Sequence, residues 1–292
     1  MRGNDLIKAI ERQDFLDQAG DTIQPVIANL FKTAGAAGQD VKNFLHGIWL
    51  GHPIHPALSD VPLGSWSTAL VFDLMQSISG RKELSRCANI AISVGLVGAL
   101  GTAMTGLADW SATSGRARKI GLIHGLLNTG ATCLYGMSLL FRSRRRSGPT
   151  GIGLSLLGYT AATVAAYLGG HLVYDEKIGV NHATRDLPKE FVPVCADTDL
   201  HEGEMKGVDA NGIPVLLVRR HGAIHALANI CSHLGGPLSE GTLDEDSVRC
   251  PWHGSRFSVC NGKVVDGPAV FPQPCLATRV RNGQIQVRAA HS

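Results

Sequence analysis

Long apolar stretches dominate the first two thirds of the chain. Three of them run for twenty or more residues without Asp, Glu, Lys or Arg, which is enough for a helix to cross a bilayer. A fourth is interrupted by Asp60 and Asp73, and we include it because its neighbours need packing partners. The predicted spans are 57–79, 87–108, 119–141 and 151–174. They form a four-helix transmembrane bundle; a soluble bundle with a very apolar core is the alternative.

The hydrophobic pattern changes after about residue 190. Short apolar segments separated by Gly-containing turns replace the long ones, as expected for antiparallel strands. The predicted strands are 213–220, 223–229, 275–281 and 284–288. The predicted fold class is therefore α + β multidomain, a four-helix transmembrane bundle followed by a small all-β domain. The domain boundaries are an amphipathic N-terminal region at 1–50, a membrane domain at 51–175, a linker at 176–190 and the β domain at 191–292.

A shorter amphipathic pattern precedes the first span. Apolar residues recur with helical spacing at Val41, Phe44, Leu45 and Ile48, and Trp49 follows. This helix would either lie on the membrane surface or pack on the bundle.

Composition and charge exclude some classes of function. The formal net charge of +3 over 292 residues argues neither for nor against nucleic-acid binding, and nucleic acid is not an expected partner because no basic and aromatic surface pattern supports it. The seven cysteines are an odd number, and their spacing indicates no disulfide framework. The first twenty residues lack the apolar core of a secretory signal.

Polar residues collect near one end of the predicted bundle. Because four spans return the chain to the side on which it started, these residues share one membrane face: His55, Asp60, Asp109, His124, Asn128 and His171. Ionisable groups at membrane depth are costly and are candidates for function. They could bind haem b or another metal, or a quinone head group, or they could simply tie the helices together by hydrogen bonds.

Two Cys–His pairs in the β domain carry the strongest chemical signal. Cys231 and His233 form a C-x-H pair, and Cys250 and His253 form a C-x-x-H pair within Gly- and Pro-rich segments. A zinc finger would need a C-x2-4-C knuckle and an H-x3-5-H helix, and neither is present. Each loop instead offers one thiolate and one imidazole, the mixed set that a [2Fe–2S] cluster with two Cys and two His ligands requires.

The segments "CSHLGGPL" and "CPWHGSRF" resemble the Rieske family, over about residues 190–288. The resemblance implies that Cys231 and Cys250 bind one iron, and that His233 and His253 bind the other. It also implies that loop residues beside the cluster, Gly235, Trp252 and Ser255, tune it through hydrogen bonds and packing.

Two positions separate the branches of that family. Respiratory-chain Rieske proteins carry a disulfide at the positions that Gly236 and Trp252 occupy here. The chain therefore resembles the ferredoxin branch, the electron carriers of oxygenases, which implies a lower reduction potential and weaker pH coupling. Ser255 matches a serine of the respiratory branch and implies a potential above the bottom of the range.

The segment "WLGHPIHPALSDVPLGSW" resembles a bacterial membrane family, domain of unknown function 2231, over about residues 40–175. That resemblance implies a four-span bundle and no established chemistry.

These features predict a membrane-anchored one-electron carrier with a [2Fe–2S] cluster. It would exchange electrons with a redox protein or a quinone, and its helices would contact the lipid bilayer. The alternatives are the electron-input subunit of a membrane oxygenase or reductase, and a redox-sensing or structural membrane protein. The predicted location is the bacterial inner membrane, multi-pass. The loops at 80–86 and 142–149 are dense in basic residues and lie on the membrane face opposite the polar residues and the β domain. Their charge favours a cytoplasmic position for that face, which places the β domain outside the cytoplasm. The sequence leaves the oligomeric state open.

Overall fold

The computed structural model describes residues 3–143, 148–184 and 186–290, and the centre of the basic loop at 142–149 lies outside them. A helical region is followed by an all-β region. The helices are α1 Gly3–Glu11, α2 Phe15–Thr33, α3 Gly35–His46, α4 Ile54–Ser79, α5 Lys82–Trp110, α6 Gly115–Arg142 and α7 Gly148–Tyr174. The described residues divide into two compact units, one within Met1–Gly38 and Ile54–Ile178, the other within Gln39–Pro53 and Gly179–Ser292.

In the helical unit, α4 packs on α5 and α6 packs on α7. Trp66 and Tyr135 stack in the core with their ring centroids 4.3 Å apart. Small residues permit this packing, since a Cβ at Gly95 would overlap the Trp66 indole. Outward-facing side chains on α5 are apolar, and Val97 and Leu100 are 73% and 64% exposed. Helix α5 is therefore apolar on its outer face as well as in the core.

The prediction of four spans is confirmed only in part. Within the residues that the structure describes, seven α-helices are present, and two segments are long and apolar enough to cross a membrane: Lys82–Trp110 and Pro149–Tyr174. The predicted spans 57–79 and 119–141 do form helices, α4 and α6, but these do not meet that criterion. Asp60 and Asp73 lower the apolar character of α4, and Arg116, Arg118 and Lys119 occupy the first turns of α6.

A buried ion pair accommodates the charge that interrupts α4. Asp73 and Arg142 are almost fully buried, with side chains 3% and 2% exposed. Arg142 donates from Nη1 to Asp73 Oδ1 at 2.7 Å and makes a second contact to Asp73 Oδ2. Ser155 Oγ accepts from Arg142 Nη2 at 3.0 Å. The carboxylate is therefore both neutralised and hydrogen-bonded, as a buried charge requires.

The described residues of the second unit form ten strands. They are β1 Val192–Ala196, β2 Met205–Asp209, β3 Pro214–Arg220, β4 Ala223–Ala228, β5 Thr242–Asp244, β6 Ser247–Arg249, β7 Arg256–Ser258, β8 Val264–Asp266, β9 Cys275–Arg281 and β10 Gln284–Ala289. One antiparallel sheet has the order β1-β10-β9-β4-β3-β2, and a smaller one has the order β5-β6-β7-β8. The four predicted strands correspond to β3, β4, β9 and β10 and are confirmed. Alternate residues of β3 enter two different cores, since Val215 and Leu217 pack with Ile285 whereas Leu216 packs with Phe257.

From Gln39 onwards, helix α3 belongs to this second unit rather than to the helical one. Leu45 and His46 are buried, whereas Val41 and Phe44 of the predicted apolar stripe are 49% and 59% exposed. Asn43 fixes the helix to the segment after β8, with its Nδ2 donating to Asp266 Oδ1 at 3.1 Å. The predicted apolar stripe is therefore only partly buried.

Candidate metal centre

Two loops with the same backbone hydrogen bonds hold the predicted ligands. In the loop after β4, the Cys231 N–H donates to the Gly236 carbonyl, and the Gly235 N–H donates to the Cys231 carbonyl, both at 2.9 Å. In the loop after β6, the Cys250 N–H donates to the Ser255 carbonyl at 2.8 Å, and the Gly254 N–H donates to the Cys250 carbonyl at 3.1 Å. Gly235 and Gly254 adopt φ values of 82° and 76°, which glycine tolerates best. Each loop thus presents its Cys and its His from an equivalent turn.

The two thiols are buried side by side. Cys231 and Cys250 hydrogen-bond to each other, and backbone N–H groups of His233 and Leu234 point at the first sulfur. The Cys231 thiol and the backbone N–H of Trp252 lower the pKa of Cys250 to about 6. The pKa of Cys231 is raised, because a second thiolate beside the first would be buried next to like charge. A pair of thiols surrounded by N–H donors is suited to bind a cation as thiolates.

The two imidazoles lie together, and burial favours the neutral form of both. The ring centroids of His233 and His253 are 4.9 Å apart and the planes are nearly perpendicular, at 84°. Burial, followed by nearby positive charge, lowers the pKa of His233 to about 3, and burial lowers the pKa of His253. The Nδ1 atom of His233 is buried without a hydrogen-bond partner among the described residues. Neutral imidazoles with such an atom are what a metal site needs.

Three residues of the ligand loops lie close to the thiols: Gly236, Trp252 and Ser255. A Cβ at Gly236 would lie 3.0 Å from Cys250 Sγ and 3.0 Å from the Trp252 ring. Trp252 is 57% exposed, and its ring is perpendicular to that of His253 at 6.4 Å. Ser255 is fully buried, and its Oγ accepts from the Ala269 N–H at 3.0 Å.

Sequence reasoning missed the residue that supports the first loop. Gln273 is buried, and its Nε2 donates to the carbonyls of Ala228 and Ile230 at 2.7 and 2.5 Å. Its Oε1 accepts from the Ser232 N–H at 3.1 Å. A glutamine between two prolines in "FPQPC" was the only available signal, and nothing local indicated that its partners lie about forty residues earlier.

The polar residues of the helical unit form two separate groups. His55 and His124 lie with their ring centroids 6.1 Å apart. His124 Nδ1 donates to the Ala165 carbonyl at 2.8 Å, and its Nε2 accepts from Asn128 Nδ2 at 3.1 Å. His55 Nδ1 donates to the Thr102 carbonyl at 3.0 Å. Asp60 is exposed and Asp109 is half-buried.

His171 belongs to the second group. Its Nε2 lies 3.1 Å from Asp175 Oδ2 and 3.7 Å from Glu176 Oε1. The ligand atoms of these three residues lie within 4.8 Å of one another, a spacing that a metal ion could use. Arg116, however, is 2.7 Å from both carboxylates and 2.7 Å from Glu11. The acidic groups are organised around a guanidinium.

Comparisons with known proteins agree with this division. The Rieske [2Fe-2S] domain model matches residues 190–278, and the model of a predicted membrane protein family, DUF2231, matches residues 51–182. Ferredoxin CarAc of Metapseudomonas resinovorans is 36% identical over 98 residues, which are 33% of this chain and 92% of that ferredoxin. Apoptosis-inducing factor 3 of Homo sapiens is 34% identical over 122 residues, 41% of this chain, and the chain spans only 20% of that protein.

Among solved structures, the ferredoxin of carbazole 1,9a-dioxygenase from Nocardioides aromaticivorans IC177 is 28% identical, with a TM-score of 0.33, and the match covers 35% of this chain and 100% of that one. The match to ferredoxin CarAc and the two family models lead to one conclusion. The chain belongs to the Rieske [2Fe-2S] family through residues 190–278, joined to a helical domain of the predicted membrane protein family DUF2231.

Proposed function

We propose that the protein is a membrane-anchored one-electron carrier, in which Cys231 and Cys250 bind one iron of a [2Fe–2S] cluster and His233 and His253 bind the other. The observation that carries the proposal is the pair of equivalent loops, which present two neighbouring thiols with backbone N–H donors and two neighbouring imidazoles. When bound, the cluster supplies one-electron redox chemistry.

The surrounding residues set the conditions for that chemistry. Backbone N–H groups of both loops stabilise negative charge on sulfur, which favours the thiolate state of both cysteines. Ser255 accepts a hydrogen bond through Oγ, so its hydroxyl proton remains able to donate towards the centre. Gln273 holds the first loop rigid from behind.

The membrane part of the proposal rests on the outer surface of the helices. Leu156 and Leu157 on α7 are 53% and 60% exposed, as are comparable residues on α5. Hydrocarbon is the medium in which such a surface costs least. Helices α4 and α6 complete a four-pass bundle, since the Asp73–Arg142 pair removes the charge that would otherwise oppose insertion. The location we propose is the bacterial inner membrane, with the Rieske domain on the extracytoplasmic side.

The partner we propose is a redox protein, because the similar CarAc is itself named a ferredoxin. The chain would then serve as the electron-input subunit of a membrane oxygenase or reductase. Exchange with haem or quinone at the His55–His124 pair is the second candidate, favoured by the closeness of the two rings. Both ring nitrogens of His124 already have protein partners, which gives this pair a role in joining helices.

Metal analysis and spectroscopy of the purified full chain test the proposal. We expect two iron and two acid-labile sulfide per chain and an EPR signal after reduction by one electron. His233→Ala should abolish the signal, whereas His201→Ala, at a 78% exposed side chain, should not. Zinc in place of iron, or a signal that survives His233→Ala, would contradict the ligand assignment. A Soret band lost in His124→Ala would establish the haem candidate.

A further inference from the structure

Helix α3 is fixed to the Rieske unit by a specific contact. Asn43 Oδ1 accepts from the Gly267 N–H and Asn43 Nδ2 donates to Asp266 Oδ1, both at 3.1 Å. The buried ring of His46 lies against Gly267, where a Cβ would come within 2.9 Å of it. The match to the Rieske family covers residues 190–278, so this helix lies outside the matched segment.

The face of α3 that packs against Gly267 also carries a lysine. Lys42 and His46 are four residues apart and therefore share one face of the helix. Lys42 is half-buried, and burial lowers its pKa. Among the described residues Lys42 makes no ion pair, so no carboxylate of that part of the chain neutralises its ammonium group. The segment that Asn43 binds continues to Ala269 and Phe271, which hydrogen-bond to Ser255 and Ser232 in the two ligand loops at 3.0 and 2.7 Å.

The segment after α7 contacts the loop that carries Cys231 and His233. The His182 N–H donates to the carbonyl of Ser232, the neighbour of His233, at 3.1 Å. Two segments outside the Rieske match therefore pack around the ligand loops, and α3 brings the Lys42 ammonium among them.

We propose that α3 is a fixed cover over the His233 side of the metal centre, and that the Lys42 ammonium raises the reduction potential of that centre. The inference rests on the proposed function. One electron from the redox partner makes the centre more negative by one unit, so a nearby cation stabilises the reduced state more than the oxidised one. A half-buried cation is screened by salt less than a surface charge, and its effect persists at physiological ionic strength.

The test is a redox titration of the purified full chain, followed by circular dichroism or EPR. Lys42→Met keeps the length of the side chain and removes its charge. We expect the reduced-to-oxidised ratio at a fixed ambient potential to fall roughly tenfold, equivalent to about 59 mV for a one-electron couple. Lys42→Arg should retain the wild-type ratio. Lys206→Met is the matched control, because Lys206 pairs with Asp199 at 3.7 Å on the same unit.

A second variant tests the cover itself. Asn43→Ala removes the hydrogen bonds to Asp266 and Gly267, and we expect faster modification of His233 by diethyl pyrocarbonate, read by peptide mass spectrometry. An unchanged potential in Lys42→Met at full iron content would overturn the role of the lysine, and unchanged His233 modification in Asn43→Ala would overturn the cover. If the wild-type chain itself held no iron, the proposed function would fail and this inference with it, an outcome distinguishable at the first metal analysis.

Discussion

Gly236 and Cys250 lie so close that a Cβ on the glycine would be 3.0 Å from the cysteine sulfur. The same Cβ would meet the Trp252 ring at 3.0 Å. Gly236 and Trp252 are the positions at which the respiratory branch of the family has its disulfide. In this chain the glycine leaves room for the indole to pack beside the sulfur, so a bulkier side chain at 236 must displace one or the other.

We predict that Gly236→Ala lowers the iron content of the purified protein several-fold, because the first loop must move away from Cys250. Iron and acid-labile sulfide per chain provide the measurement. Gly64→Ala is the control, since a Cβ there meets nothing within 4 Å. Full iron occupancy in Gly236→Ala would show that the loop accommodates the methyl group.

Gln273→Ala should destabilise the Rieske unit by about 3 kcal/mol, because the substitution leaves the backbone groups of Ala228, Ile230 and Ser232 without their partner. The thermal midpoint for loss of visible absorption gives the measurement. The control is Gln286→Ala, whose partner Arg279 is an exposed side chain, and it should change the stability by less than about 0.5 kcal/mol. Equal effects of the two substitutions would rule out a special role for Gln273.

Asp73→Ala should destabilise the helical unit by about 3–5 kcal/mol, since it leaves the buried Arg142 guanidinium uncompensated. The double variant Asp73→Leu with Arg142→Leu removes both charges and should recover much of that loss. Thermal unfolding in detergent, followed by tryptophan fluorescence, measures both. A double variant no more stable than the single one would mean that the pair has a role beyond neutralisation.

The link between α2 and α6 should depend on pH. Hydrogen bonds from Lys119 and then Arg118 hold the pKa of Asp17 below the ordinary value of an aspartate. Because the folded pKa is the lower one, the stabilisation is present above about pH 4 and is lost as the pH falls through the folded value. The Tm difference between wild type and Asp17→Asn should be larger at pH 7 than at pH 3.

Asp14→Asn is the matched control for that experiment, since it alters an exposed carboxylate just before the same helix. It should leave the Tm nearly unchanged at both values of pH. A difference for Asp17→Asn that is as large at pH 3 as at pH 7 would mean that the ion pairs are not its source.

Local patterns predicted the parts of this protein that depend on neighbouring residues. The C-x-H and C-x-x-H pairs predicted the chemistry because a mixed ligand set leaves few alternatives. Strands β3, β4, β9 and β10 followed from short apolar segments between glycine turns. The long apolar stretches predicted four long helices, although two are polar enough to fall short of the criterion for crossing a membrane.

The features that escaped prediction all depend on contacts between distant residues. Asn43 binds a segment more than two hundred residues later, and Gln273 binds carbonyls about forty residues earlier. Asp73 interrupted a predicted span, and only its pairing with Arg142 explains how it is buried. No periodicity within a helix or strand carries such information, since it reports which side of an element is apolar and not what that side meets.

Pulsed EPR of the reduced full-length protein, compared with a sample in which every histidine carries ¹⁵N, tests the central claim most directly. If His233 and His253 both bind the metal centre, two distinct nitrogen couplings should appear and should change to those of ¹⁵N in the labelled sample. Nitrogen couplings from a single histidine, or a reduced signal without any histidine coupling, would contradict the two-cysteine, two-histidine centre.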